Sequence, residues 1–401
     1  MSETVLDQPS AFPRLDRQAP DALLGLITLY KRDERPEKVD LGVGVYRDET
    51  GLTPIMQAVK AAEARLWQDQ ATKSYLGAEG DAAYTQLLAQ LVFGPAIAAS
   101  DGLTGVQTPG GTGALRLGAE LIARARPDAT VWIGTPTWPN HGPIFERAGL
   151  RTQLHRFYVP GTSSIDFEGM MADLVHAKPG DILLIHGCCH NPTGADFSED
   201  QWADLVTLCD RSAVIPFIDL AYQGLGDDLD ADASATRALL KWLPNALVAY
   251  SCDKNFGLYR ERVGAFWFKA ASPAMAEIAR SNLLLLARSL WSMPPDHGAA
   301  IVRTILETPE LSADWRLELS RMRVRINDLR RALAAGHPAL TPIAEQRGMF
   351  AMLPISGEAV IALREERGIY MAGNGRINIC GLTLSSIDMF LDGLRPYLPN
   401  A

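Results

Sequence analysis

Ser251-Cys252-Asp253-Lys254 follows directly on an apolar run at 246–250, with Arg262 a short way after. A lysine amine at the mouth of a buried strand can form an imine with a carbonyl. A hydroxyl and a guanidinium beside it are partners for a phosphate. The chemistry these residue types suit is the capture of an aldehyde that carries a phosphate. Gly110-Gly111-Thr112-Gly113-Ala114-Leu115-Arg116 adds a glycine turn running into a helical stretch, where free N–H groups and a threonine hydroxyl can cradle an anion. The dinucleotide fingerprint would want Gly where Arg116 stands, so the turn gains meaning only beside the other parts.

Asp219 closes an apolar stretch, where a bare carboxylate is costly to bury without a cationic or hydrogen-bonding partner. A protonated pyridine nitrogen is one such partner and a nearby turn is another. Tyr222 lies three residues on, within reach of the same ligand. His141, His186 and His190 lack the carboxylate or thiolate spacing of a metal site, so they are read as structural histidines lining a polar pocket, and no metal is expected.

Residues 53–308 alternate short apolar runs with stretches of helical period, the pattern of a doubly wound, mostly parallel sheet flanked by helices in an α/β domain. Strands are expected at 130–133, 182–185, 214–218 and 246–250. Pro216 cannot donate to a ladder, so the third strand should be bulged or start later. In such sheets ligands collect beyond the carboxyl ends of the strands, which is where Trp138, Asn191, Asp219 and Lys254 fall. After Glu310 a charged helical run at 314–333 and short strands near 349–352 and 376–379 predict a smaller α+β domain made of 309–401 with 16–52, while 1–15 read as an N-terminal extension.

The 401 residues carry a net charge of −9, which argues against a nucleic-acid partner, because phosphate-backbone binding needs a basic surface. Five cysteines, two of them vicinal, suit reduced buried thiols rather than a disulfide framework. The first residues lack a basic start and an apolar core, and Arg288 cuts the longest apolar stretch. The expectation is a cytoplasmic protein with no membrane partner.

Seven segments stand in a fixed order: Asp40-Leu41-Gly42-Val43-Gly44-Val45-Tyr46, Thr72-Lys73-Ser74-Tyr75-Leu76-Gly77, Pro136-Thr137-Trp138-Pro139-Asn140-His141, His190-Asn191-Pro192-Thr193-Gly194, Asp219-Leu220-Ala221-Tyr222-Gln223-Gly224, Lys254-Asn255-Phe256-Gly257-Leu258-Tyr259-Arg260-Glu261-Arg262-Val263-Gly264 and Arg376-Ile377-Asn378-Ile379. As a set the chain resembles the class I pyridoxal-phosphate-dependent aminotransferases of the aspartate and aromatic amino acid family. The resemblance runs from about residue 16 to the end and leans toward the aromatic branch. It implies the type I fold of pyridoxal-phosphate enzymes and a homodimer with shared active sites. It also implies that Lys254 carries pyridoxal 5′-phosphate as an imine and moves the substrate proton. Asp219 would keep the pyridine nitrogen protonated, oriented by His141 from behind, while Asn191 and Tyr222 bond the phenolic oxygen and Trp138 covers the ring. Gly111, Thr112, Ser251 and Arg262 would hold the phosphate, with Tyr75 arriving from a neighbouring subunit. Arg376 would clamp the substrate α-carboxylate, Gly44, Trp138 and Asn191 would line the substrate site, and Arg288 of a partner subunit would meet a side-chain carboxylate.

Three positions depart from the common pattern of that family. Gly110 stands where many members have Ser, which removes a hydroxyl from the phosphate cradle. Met293 replaces a frequent Asn and makes the region near Arg288 less polar. Asp253 stands where Ser is usual, and a carboxylate beside a phosphate costs on the order of 1 kcal/mol or more. Either it points away, toward an arginine such as Arg260, or cofactor affinity suffers, and the expectation is that it is tolerated with weakened cofactor binding. The resemblance implies ping-pong transamination of aromatic amino acids and of aspartate or glutamate, with 2-oxoglutarate or oxaloacetate as acceptor. The alternatives are a strict aspartate aminotransferase, a cofactor-binding relative without turnover, and an enzyme that takes the same cofactor to elimination or decarboxylation.

Overall fold

The structure is a computed structural model and describes residues 16–17, 22–159 and 162–399; the expected extension at 1–15 lies outside the described residues. Its centre is a seven-stranded sheet. In chain order the strands are β1 (Leu103–Pro109), β2 (Thr130–Thr135), β3 (Arg151–Arg156), β4 (Ile182–His186), β5 (Ile215–Leu220), β6 (Ala246–Ser251) and β7 (Val263–Lys269). They lie side by side as β1-β7-β6-β5-β4-β2-β3. Only β7 runs against its neighbours, pairing antiparallel with both β1 and β6.

The strands are apolar on both faces because both faces are covered. Along β6, Ala246, Val248 and Tyr250 enter one core while Leu247 and Ala249 enter the core on the opposite face. Helix α1 (Gly110–Ala125) packs on the second face through Ala114, Leu115, Leu117 and Ile122. It approaches closely because residue 118 is glycine: a Cβ there would sit 2.4 Å from the Phe217 ring. Pro216 needs no bulge. Ile215 donates its N–H to Asp181 on the β4 side, so the next nitrogen points the other way, where pairing with β6 begins only at Phe217.

A separate core gathers Val39 and Leu41 with apolar residues of 329–398. Here Val39–Asp40 pairs in parallel with Ile369–Tyr370, and Phe350–Met352 pairs antiparallel with Arg376–Asn378. Helix α2 (Pro309–Ala335) serves both cores. Leu311, Trp315, Leu319, Met322 and Ile326, spaced at helical period, pack toward the sheet, and Leu329 and Leu333 pack into the separate core.

Arg330 sits on this helix between the two cores with 1% of its surface exposed. Its guanidinium donates to the carbonyls of Ile343, Arg347, Gly348 and Phe350, the last two through Nη2 at 2.7 and 2.5 Å. A buried guanidinium with carbonyl partners fastens the 343–350 loop to the helix. Arg330→Ala would leave several buried carbonyls unpaired and should destabilise the fold by about 3 kcal/mol or more. The exposed neighbour Arg331→Ala should stay within about 0.5 kcal/mol. Urea unfolding of the two variants checks this, and equal midpoints would contradict it.

Candidate active site

Strand parity decides which polar residues meet. In β5, Phe217 faces the α1 side and Ile218 and Leu220 the other, so Asp219 points to the α1 side at the carboxyl end of the strand. In β4 the same parity sends His186 to that side, directly opposite Asp219 in the ladder. The short helix His141–Arg147 lies on this face and presents His141.

His141 Nε2 lies 3.0 Å from Asp219 Oδ2, and its Nδ1 lies 2.8 Å from Thr137 Oγ1. Burial alone would raise the Asp219 carboxyl; the hydrogen bond from His141 and the electrostatic influence of His141, His186 and Lys254 outweigh it and hold the group below its usual range. Burial pushes His186 down to about 3, helped by His141. Asp219 is therefore an anion with one oxygen committed to His141 and the other free to meet a cation from the cavity.

A cavity of about 300 Å³ opens above these groups. It is lined by Gly44, Gly111, Thr112, Trp138, Asn191, Asp219, Tyr222, Ser251, Lys254 and Arg376, all of them residues singled out by sequence. The Lys254 ammonium lies 5.3 Å from the Tyr222 ring centre. Burial pushes its pKa below the ordinary lysine range; Asp253 and Asp219 oppose this and Arg262 adds to it. Tyr222 receives a long hydrogen bond, 3.5 Å, from Asn191 Nδ2, and burial raises its hydroxyl far above the usual range.

Arg376 comes from the separate core. Its Nη2 donates to the Gly42 carbonyl at 2.8 Å, and its guanidinium stacks 4.9 Å over the Phe350 ring. Asn378 pins the 43–45 loop beside it by donating to the Val43 and Val45 carbonyls. Several buried polar atoms here have no partner: Asn191 Oδ1, His186 Nε2, Arg376 Nε and Asp253 Oδ1. Unpaired buried groups are costly, and their convergence on one cavity fits a polar ligand.

The phosphate-type residues also converge. Helix α1 starts without a side-chain cap, leaving its first N–H groups to the cavity edge. A Cβ on Gly111 would stand 3.1 Å from Ser251 Cβ, so the turn and β6 touch. Gly110 adopts φ +69°, and a Cβ there would meet Arg262 Nη2 at 2.5 Å. Glycine at 110 therefore does more than omit a hydroxyl: its backbone is one that L side chains resist, and it leaves room for the guanidinium.

Two expectations concerning Asp253 and its neighbours are corrected. Asp253 does not turn toward Arg260, which is exposed; it accepts a 2.5 Å hydrogen bond from Arg262 Nη1. The reason is backbone geometry: Arg262 has φ +54°, which folds its side chain back over the turn. The three histidines do not all line the pocket either. His141 is fully buried behind Asp219, and His190 stacks on Phe157 at 4.1 Å and bonds Thr193, leaving His186 at the cavity.

Tyr75 and Arg288 are exposed and do not line this cavity; Arg288 leans on Ser292 at the end of its helix. Phe350 and the valines Val43 and Val45 do line it, and sequence reasoning did not single them out. Apolar residues in short strands and loops carry no chemical signal of their own.

Among the described residues two groups each bring three residues with metal-ligating atoms together: His141, His186 and Asp219, and Cys188, Cys189 and Asp232. In the first, His141 and Asp219 already bond each other. In the second, Asp232 accepts the N–H groups of Gly224, Gly226 and Asp227. No helix among the described residues is long and apolar enough to cross a membrane.

Comparison with known proteins agrees with this geometry. The family model for aminotransferase class I and II matches residues 36–394. The chain is 53% identical over 375 residues to a tyrosine aminotransferase of Rhizobium meliloti, covering 92% of this chain and 96% of the relative. It is 41% identical over 384 residues to an aspartate aminotransferase of Haemophilus influenzae, covering 94% and 97%. The crystal structure of an aromatic-amino-acid aminotransferase from Burkholderia pseudomallei, described as covalently bound to pyridoxal phosphate, superposes with a TM-score of 0.94 at 37% identity, over 98% of this chain and all of that one. With nearly its whole length matched in this way, the chain belongs to the class I and II aminotransferases.

Proposed function

We propose that the protein is a pyridoxal-phosphate-dependent aminotransferase that passes an amino group between aromatic amino acids, aspartate or glutamate and the corresponding 2-oxo acids by a ping-pong route. The observation that carries this reading is the Asp219 carboxylate, buried, held by His141 and facing the same cavity as the Lys254 amine. The family membership supports it, as do relatives named for both tyrosine and aspartate.

The residues present fit the cofactor. Lys254 is the amine for its aldehyde, Asp219 the counter-charge for its ring nitrogen, and Asn191 and Tyr222 the partners for its phenolic oxygen. Trp138 flanks the ring, and Gly111, Thr112, Ser251 and Arg262 surround the phosphate position. Bound there, the cofactor supplies a cationic ring that accepts the electron pair left when the substrate Cα–H bond breaks. Asp219 keeps that ring cationic because a carboxylate below its usual pKa stays charged and cannot take the proton away.

Lys254 Nζ, facing the cavity, would take and hold the proton from the Cα of the bound amino acid. Its lowered pKa keeps more of the amine in the neutral, basic form near neutral pH. Arg376 holds the substrate α-carboxylate with its planar fork, and Phe350 beneath it fixes the plane of that fork. The functional unit is read as a homodimer, in which Tyr75 and Arg288, exposed here, reach across to the neighbouring cavity and Arg288 meets a dicarboxylate side chain.

An absorbance spectrum tests the reading: a cofactor band should shift when phenylalanine or aspartate is added and return with a 2-oxo acid, and a spectrum indifferent to both would overturn it. Asp219→Asn should keep the cavity but lower kcat by at least about 10²-fold, since an amide cannot balance the ring charge. Single-turnover rates with phenylalanine measure this. Arg288→Leu should cost aspartate about 2–4 kcal/mol, roughly 30- to 1,000-fold in kcat/KM, and phenylalanine much less. Equal losses for both substrates would remove Arg288 from the substrate site.

A further inference from the structure

The phosphate position of this chain contains an acid that competes for its own arginine. Asp253 is 4% exposed and lines the cavity. One of its oxygens accepts from Arg262 Nη1 at 2.5 Å, and the other, Oδ1, is buried without any donor. Its backbone N–H donates to Ser251 Oγ at 3.3 Å, which ties the acid to the hydroxyl of the same cradle. Arg262 holds the conformation that brings it here at φ +54°, costly for a side chain of this kind, and Gly110 clears the space beside it.

A phosphate arriving here meets one guanidinium, the partial positive charge at the start of α1, and a carboxylate. As a dianion it would bring two negative charges, making three with Asp253, to one guanidinium and the start of α1. As a monoanion it brings one charge fewer and a P–OH group, and Asp253 Oδ1 is a buried acceptor without a donor on the residue that already shares Arg262 and Ser251 with the cradle. We propose that this chain binds the phosphate of its cofactor as the monoanion, with the phosphate hydroxyl donating to Asp253 Oδ1 while Arg262 bridges Asp253 and the phosphate. The inference rests on the functional reading above and adds the protonation state of the phosphate. The proton enters with the monoanion from solution, and no bond is made or broken.

The other titratable groups that face Asp253 are Cys252, Lys254, Tyr84 and Tyr259, besides Arg262. Burial raises Cys252, Tyr84 and Tyr259, so all three stay neutral through the range in which a phosphate monoester loses its second proton, near pH ~6. Asp253 also raises Lys254, so the variants alter that amine as well, and the ³¹P position, which reports the phosphate itself, separates the two effects.

The test reconstitutes full-length wild type, Asp253→Ser and Asp253→Asn with pyridoxal phosphate and records the ³¹P resonance of the bound cofactor from pH 6 to 8.5 at points chosen on the basis of that second ionisation. Wild type should hold the monoanion position at pH values where both variants hold the dianion position. In parallel, the wild-type dissociation constant should rise relative to the variants by about tenfold per pH unit above ~6, because the monoanion becomes scarce at that rate. The second variant preserves shape if the first folds poorly. A wild-type phosphate at the dianion position, or a ratio of dissociation constants independent of pH, overturns the inference and leaves the aminotransferase reading intact. Failure of all three proteins to bind pyridoxal phosphate overturns both.

Discussion

A carboxylate at the end of β5, buried and kept charged, is the constraint around which the rest of the site is built. Asp219 cannot sit there unpaired, and His141 supplies only one of the partners its two oxygens can take. That leaves a standing demand for a cation on the cavity side. The alternation of side chains along β4 and β5 brings His186 to the same face, and its neutral ring adds polarity without adding a competing charge. The sheet therefore fixes an anion in a defined place, and the ligand must bring the positive charge to it.

The opposite end of the cavity obeys the reverse rule. Helix α1 offers uncapped N–H groups and Ser251 a hydroxyl, a set made for an anion, yet Asp253 intrudes with a negative charge. A ligand that satisfies both ends must be dipolar, cationic toward Asp219 and anionic toward Arg262. Lys254, placed between them at the mouth of β6, has its pKa lowered mainly by burial, and this favours an amine ready for covalent chemistry over a stable ammonium.

Much of this was legible in the chain. The strands at 130–133, 182–185 and 246–250 each emerged one or two residues longer than their apolar runs, because two covered faces require continuous apolar sequence. Strand β3 was not foreseen: Arg151–Arg156 is a half-exposed edge strand with no apolar run, and pairing with β2 alone defines it. Thr112, Trp138, Asn191, Asp219, Tyr222, Ser251 and Lys254 met in one cavity because each stands at or just past the carboxyl end of a strand, and Arg376 joins them from the separate core, whereas Arg288 stays outside. What the chain concealed was conformational. The partner of Asp253 depends on a left-handed backbone at Arg262, and the clearance beside it depends on the left-handed Gly110; neither leaves a mark in residue type except the glycine. Arg330 looked like one charge among many on a polar helix, and only its position between two cores made it a buried anchor.

That anchor matters for the chemistry because the cavity is not made by the sheet alone. Lys254 and Asp219 belong to the sheet, whereas Arg376, Phe350 and the pinned 43–45 loop belong to the separate core. A substrate held as proposed, from Lys254 to Arg376, would span residues of both cores, so its placement would depend on how firmly these are joined. Arg330 bonds the carbonyl of Phe350, the same residue whose ring supports the Arg376 guanidinium. The path from the sheet-bound half of α2 to the Arg376 guanidinium thus runs through one hydrogen-bonded arginine and one aromatic ring. Small displacements along it would move that guanidinium relative to the amine, and placement errors of about 1 Å are enough to cost an enzyme two orders of magnitude in rate.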